Sequence, residues 1–215
     1  MSDMGSEKAF HQSPAPGQPI VAFDFDGTLT IRDSFTSFLK WRAGPLRWAR
    51  GLASLVPAVF AYLSDRDRGR IKVASVREFL TGVDRTALED EAERFAQVIW
   101  PRFMRPDALA TWEDWGRRGA HRVIVTASPE TTVAPFARRL GAENLIGTRL
   151  AFDGQDRVVG AFVGGNCRGE EKMRRLRAAY GEDMRLAAAY GDTSGDAQMI
   201  AAAEEKGYRV FTGRP

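Results

Sequence analysis

The apolar run Ile20-Val21-Ala22-Phe23 feeds directly into Asp24-Phe25-Asp26-Gly27-Thr28. Four continuous β-prone residues suit a strand buried on both faces. The two acids therefore stand at a strand end, where open α/β sheets bind ligands. Side chains alternate along extended backbone, so Asp24 and Asp26 share a face if the extension continues through them. Two carboxylates this close repel unless a cation separates them or one is protonated. A strand-ending turn accounts for Asp26-Gly27, a common turn pair, but not for an acid two residues earlier.

A second acidic pair lies in Gly191-Asp192-Thr193-Ser194-Gly195-Asp196, again directly after a candidate strand. Asp196 is also well suited to open a helix. Between the pairs stand Ser128, after the run Val123 to Thr126, and Lys172 in Gly169-Glu170-Glu171-Lys172. Taken singly, Ser128 reads as a helix cap before Pro129 and Lys172 as a surface lysine. In a parallel sheet, however, the C-terminal ends of neighbouring strands lie along one edge. Asp24, Asp26, Ser128 and Asp192 can then converge, with Lys172 reaching in from a helix start. Carboxylates, a hydroxyl and an ammonium together suit one task, holding Mg²⁺ and a phosphate oxyanion. Lys172 and Ser128 would neutralise and hydrogen-bond the phosphate oxygens.

The elements that must position these groups alternate. Strand patterns are expected at Ile20 to Phe23, His121 to Thr126, Asn144 to Leu150, Arg185 to Tyr190 and Tyr208 to Phe211. Helical patterns cover Asp107 to Arg118, Glu130 to Leu140, Glu170 to Tyr180 and Asp196 to Glu205. This alternation predicts an α/β fold with a Rossmann-like parallel sheet. Phe152 to Val163, broken by Asp153-Gly154, reads as a β-hairpin appended to it. Residues 33–100 break the rhythm with helical patterns alone, among them Thr86 to Trp100, and predict a helical insertion after strand 1. The core is then 20–32 together with 101–215. Residues 1–19 are polar with no apolar run, read as a disordered leader without a secretory signal, so a cytoplasmic location is expected.

The chain has 215 residues, 44% hydrophobic and 27% charged. That composition excludes collagen-like, disordered and membrane-bundle classes. One cysteine, Cys167, cannot form an internal disulfide, and two histidines cannot build a histidine-rich metal site. A net charge of +3 is too mild to imply nucleic acid. The charge is uneven, however. Arg32 to Lys72 carries +6 and the remainder −3. Within that basic part lies the apolar stretch Gly51 to Leu63, too short to span a bilayer, which takes about 20 residues. Trp41, Arg42, Arg47, Trp48 and Arg50 precede it, and Arg66, Arg68 and Arg70 follow. Two readings stay open. Residues 41–70 make a peripheral contact with anionic lipid, or Leu52, Leu55, Val59 and Leu63 are the core of the insertion.

The order of these groups resembles the haloacid dehalogenase (HAD) superfamily, subfamily IB. Asp24-Phe-Asp26-Gly-Thr28 is similar to its first motif, Ser128 to its second, Lys172 to its third, and Gly191-Asp192 with Asp196 to its fourth. The resemblance implies a Rossmann-like core with a C1-type helical cap, and a Mg²⁺-dependent phosphatase. It implies that Asp24 is the nucleophile forming an aspartyl-phosphate and that Asp26 is the acid and base. Thr28 would orient Asp26 and face the phosphate together with Ser128 and Lys172. The metal would be held by Asp24, Asp26 (through its carbonyl) and Asp192, with Gly27 and Asp196 supporting. A dehalogenase is disfavoured, because such relatives lack the second acid of the first motif.

The cap position resembles that of phosphoserine phosphatases, with two departures. Asp33 stands where those enzymes carry a glutamate for the substrate amine, and Ser128 precedes Pro129, which has no N–H to donate. The basic apolar stretch, Ser128-Pro129 and Asn166 to Lys172 are together similar to bacterial phosphatidylglycerophosphatase C. That family implies a phospholipid head-group substrate at the cytoplasmic face of the membrane. The alternatives are a soluble-metabolite phosphatase, or a non-catalytic phospho-acceptor or membrane-associated binding module. A receiver-like acceptor would lack the second acidic pair and the long insertion.

Overall fold

The computed structural model describes residue 10, residues 12–56 and residues 68–215. Its centre is β1 (Ile20–Phe23), with all four residues buried. Val21 and Phe23 join one apolar cluster, while Ile20 and Ala22 join the other. This two-residue alternation puts β1 between two layers, as its unbroken apolar run predicts. β2 (His121–Pro129) and β5 (Leu186–Gly191) flank it, both parallel. β3 (Asn144–Phe152) pairs parallel with β2, and β6 (Ala203–Tyr208) with β5. β4 (Val158–Val163) runs antiparallel on the far edge of β3. The order β4-β3-β2-β1-β5-β6 reverses direction at β1. The ends of β1 and β5 therefore open at a topological switch point, where such sheets bind ligands.

Between β1 and β2 lie α1 (Ser34–Ser54), α2 (Arg68–Leu80), α3 (Arg85–Ile99) and α4 (Pro106–Arg117). No named strand intervenes among the described residues. α5 (Glu130–Leu140) follows β2 and ends at Gly141 in the left-handed region. α6 (Glu170–Tyr180) precedes β5, and α7 (Ala197–Ala201) follows it. One layer buries Phe38, Phe95, Phe103, Trp112 and Phe136 against Phe23 and Phe25. The other packs Met173, Leu176, Met199 and Ile200 against β1 and β5. Trp112, Trp115, Met173 and Met199 are thus core residues, as their helical spacing suggests. Cys167 is also buried, with its thiol pushed up to about 11 by burial, in keeping with a packing role.

Three expectations shift. The hairpin is β3 with β4 around Asp153–Arg157, so β3 itself supplies the first strand rather than a separate pair. The C-terminal helix ends at Ala201, and the last strand is Ala203–Tyr208 rather than Tyr208 to Phe211. The polar Glu204-Glu205-Lys206 hid it: on an edge strand, pairing outweighs propensity. Of the expected leader, residues 1–9 and 11 lie outside the described residues. Phe10 is buried, and the Gln18 side-chain Nε2 donates to the Gly119 carbonyl at 2.9 Å.

The apolar stretch of the insertion divides. Leu55 is buried and Leu52 exposed, while Pro57, Val59 and Leu63 lie outside the described residues. Trp48 stacks on Phe79 at 5.2 Å, and a Cβ on Gly51 would meet the Phe79 ring at 2.1 Å, so α1 and α2 approach closely there. Arg42 and Arg47 pair with Glu91 and Glu78. Leu46 is 79% exposed, and Trp41 and Val56 are exposed as well. Among the described residues, no helix is long and apolar enough to cross a membrane.

Candidate active site

The chain turns sharply after β1. Asp24 keeps extended backbone, then Gly27 takes φ +80° and the Thr30 amide closes the loop on the Phe25 carbonyl at 3.1 Å. A Cβ at Gly27 would lie 2.2 Å from Asp192 Oδ2. Glycine is required there twice, for the left-handed backbone and for the close approach of the loop after β5. Arg105 braces the turn from outside, its Nε donating to the Gly27 and Thr30 carbonyls at 3.2 Å each.

Lys172 sits in the first turn of α6 and is 1% exposed. Its Nζ donates at 2.6 Å to Asp24 Oδ1, Asp196 Oδ1 and the Val125 carbonyl. The loop before α6 is tied to the loop after β5 by the Gly169 amide on the Gly195 carbonyl at 2.9 Å. That link sets Lys172 between the ends of β1, β2 and β5. Asp196 is committed as well: its Oδ2 accepts from the Thr193 amide and hydroxyl at 2.9 Å. Despite burial, Lys172 holds its carboxyl below the usual range. The Lys172 ammonium is in turn pushed up by Asp24 and Asp196 against its own desolvation.

Burial pushes Asp24 up to about 7, against Lys172 and with help from Asp196 and Asp26. Asp26 points elsewhere. Its Oδ1 accepts from the Ser34 amide at 2.6 Å, and its Oδ2 accepts from the Ser128 hydroxyl. Burial and the nearby Asp33 charge push its carboxyl up to about 6. The chain thus converts two adjacent acids into two different groups, one paired with a lysine and one lodged between a hydroxyl and a helix start.

Several expected roles meet different geometry. Thr28 approaches Asp24 Oδ2, at a long 3.5 Å, and not Asp26, which Ser34 and Ser128 orient instead. The turn at Gly27 carries Thr28 back toward the strand end. Lys172 was expected on the phosphate, but its three donors all end on protein acceptors. Asp33 is exposed and caps α1, accepting from the Thr36 amide at 2.6 Å. The carboxylates that gather are Asp24, Asp192 and Asp196, whose ligand atoms lie within 4.8 Å of one another. The Asp26 carboxylate is not in that group.

Asp192 Oδ1 is buried without a hydrogen-bond partner. A buried carboxylate oxygen is costly to leave unsatisfied, and Asp24 Oδ2 beside it has only the distant Thr28. Two under-used anionic oxygens in a partly buried carboxylate cluster fit a hard divalent cation such as Mg²⁺. Arg105 and the Ser34 amide carry no signal in the sequence; Lys72, which the sequence places either reaching the substrate from the insertion or solvated on its helix, turns inward from α2, its Nζ donating to the Ala127 carbonyl at 2.8 Å. Arg105 lies far from every motif and Ser34 acts through its backbone amide, so only packing reveals them.

The chain is 57% identical over 196 residues to Protein CicA of Caulobacter vibrioides, covering 91% of this chain and 88% of that one. A solved structure from Bordetella pertussis Tohama I, of unknown function, superposes with a TM-score of 0.63 at 22% identity, covering 86% of each chain. A substrate-bound phosphoserine phosphatase superposes with a TM-score of 0.57 at 18% identity, covering 89% of this chain and 85% of that one. The haloacid dehalogenase-like hydrolase profile matches residues 21–201. With strand-end acids, a buried lysine and a profile spanning most of its length, the chain belongs to the haloacid dehalogenase-like hydrolase family.

Proposed function

We propose that this chain is a Mg²⁺-dependent phosphomonoester hydrolase that works through a covalent intermediate on Asp24. The observation that carries this reading is the split between its two acids. Asp24 is held by the Lys172 ammonium beside Asp192 and Asp196, whereas Asp26 sits partly open beside Ser128 with its carboxyl raised to about 6. A raised carboxyl near the operating pH suits a group that gives and then takes a proton.

An Asp24 oxygen attacks phosphorus and forms the aspartyl-phosphate, while Asp26 gives its proton to the departing alkoxide. Asp26 then takes a proton from the water that attacks the intermediate, releasing phosphate and restoring Asp24. Asp24, Asp192 and the Asp26 carbonyl would hold the ion, with Asp196 positioning Lys172. When bound, Mg²⁺ supplies positive charge that shields the nucleophile from the incoming phosphate. Gly27 keeps the turn close to Asp192. Residues 33–100 act as the cap over this core, 20–32 with 101–215.

The substrate reading is a phosphomonoester on an anionic lipid head group, met at the membrane surface through residues 41–70. Exposed Trp41, Leu46, Leu52 and Val56 support it, as does the basic excess of Arg32 to Lys72. Leu55 in the core and Trp48 on Phe79 favour the second reading, a soluble-metabolite phosphatase whose cap keeps its apolar side inward. Capping of α1 by Asp33 weighs against phosphoserine itself, since the carboxylate is engaged.

Mg²⁺-dependent phosphate release is measured side by side from phosphatidylglycerophosphate in mixed micelles and from phosphoserine. A preference of several hundredfold for the lipid supports the first reading, and the reverse preference supports the second. Asp24→Asn abolishes release with the fold intact, and retained turnover sinks the nucleophile assignment.

A further inference from the structure

Two lysines reach this site, and only one has donors to spend. An ammonium carries three N–H groups. Those of Lys172 end on Asp24, Asp196 and Val125. Of the core's other expected phosphate donors, Thr28 has only a long 3.5 Å approach to Asp24, and Ser128 is engaged. The Ser128 amide donates to Thr126 Oγ1 at 3.0 Å, its hydroxyl donates to Asp26, and Pro129 has no N–H.

Lys72 is different. It stands on α2, within the inserted helices, and its side chain is partly buried. Among the described residues, the Ala127 carbonyl is its one hydrogen-bond partner, which leaves two N–H groups unspent. The charges that act on it are those of Asp26, Asp33 and Asp24, which favour the ammonium, and of Lys172, which opposes it, and among the described residues none of the three acids forms an ion pair with it. Its bond to Ala127, the residue before Ser128, fixes the ammonium at the end of β2 on the Asp26 side. Burial already pushes this ammonium down from its ordinary value. An anion entering between Asp24 and Asp26 would satisfy both remaining donors and repay part of that desolvation.

We infer that Lys72 donates to the phosphoryl oxygens of the substrate, so that the inserted helices complete an oxyanion site which the sheet edge leaves short of donors. The inference rests on the phosphomonoesterase reading above.

The test uses the full chain with Mg²⁺, comparing wild type, Lys72→Gln and Lys72→Arg. Glutamine keeps a donor for Ala127 while removing the charge. Inorganic phosphate binding by titration calorimetry is the first probe, and p-nitrophenyl phosphate turnover the second. Lys72→Gln should bind phosphate about tenfold to a hundredfold more weakly, the range for one charge-assisted hydrogen bond to an oxyanion. KM should rise by a similar factor and kcat change less, with melting temperature near wild type and partial recovery in Lys72→Arg. Wild-type phosphate affinity in Lys72→Gln overturns the inference. So does a lowered melting temperature with unchanged phosphate affinity, which marks Lys72 as structural. If wild type binds phosphate through Lys72 but hydrolyses no phosphomonoester, the inference stands and the phosphatase reading fails.

Discussion

Gly27→Ala is the sharpest perturbation this site offers. The new Cβ would lie 2.2 Å from Asp192 Oδ2 and 2.7 Å from its Cγ, and Gly27 holds φ +80°. The left-handed backbone alone costs an alanine about 1–2 kcal/mol. In a chain of this size that lowers the melting temperature by roughly 2–8 °C. The contact costs function more than stability. Real Cβ atoms do not approach a heavy atom within 3.0 Å, so Asp192 must retreat by close to an ångström. A displacement of that size near reacting groups costs roughly 10²-fold in rate. Asp192 is also the carboxylate with the unpartnered buried oxygen, so its retreat weakens the ion site directly. The assay is p-nitrophenyl phosphate turnover across a Mg²⁺ titration, with a thermal melt alongside. A fall in kcat of about two decades is expected, together with a raised Mg²⁺ half-saturation point and a melting temperature only a few degrees lower. Wild-type turnover and Mg²⁺ dependence in a folded Gly27→Ala protein would refute the placement of the ion beside Asp192.

Lys172→Met leaves Asp24 and Asp196 buried without their cation. A loss of about 3–5 kcal/mol in denaturant unfolding is expected, and turnover disappears. A variant as stable as wild type would show that the pair is not held as described. Asp26→Asn slows chemistry and lets the Asp24 phosphoryl adduct accumulate, read by mass spectrometry after acid quench; neither effect appearing would remove Asp26 as acid and base. His121 is buried against Tyr180, its ring nitrogen 3.0 Å from the hydroxyl, and burial lowers its pKa from 6.5. The unfolded chain therefore binds the proton more readily, so this contribution is complete above roughly pH 7 and is lost as pH falls through 6.5 toward the lower folded value. His121→Gln should flatten that slope in pH-dependent unfolding, and an unchanged slope would place the proton uptake elsewhere. Leu46→Asp with Leu52→Asp changes two exposed positions, so turnover of p-nitrophenyl phosphate stays as in wild type while binding to anionic vesicles falls. Unchanged vesicle binding would remove residues 41–70 as a membrane contact.

Much of the site was legible in the chain because strand ends announce themselves locally. An unbroken apolar tetrad before Asp24 says that the acids leave a buried strand, and the same pattern precedes Asp192. Glu130–Leu140 and Glu170–Tyr180 match their helical patterns end to end, since each has acids in its first turn and a glycine just past its end. β6 was misplaced because an exposed edge strand, Ala203-Glu-Glu-Lys-Gly-Tyr208, needs no apolar run. What each acid does was not legible. Asp24 and Asp26 have the same side chain and differ only in what the fold brings to them, a lysine 148 residues away and a serine 102 residues away.

By itself, then, the sequence determined the alternating α/β order, the helical insertion after β1 and the set of acids, hydroxyl and lysine at one sheet edge. Periodicity and turn residues act over a few positions, and those features need nothing longer. Tertiary structure alone decided that Lys172 spends every donor on the protein, that Asp192 keeps a bare buried oxygen, and that Lys72 reaches the end of β2 from a helix on the insertion. A hydrogen bond forms at one distance and one angle, and those are set by how β1, β2, β5 and α2 pack, which no local pattern encodes.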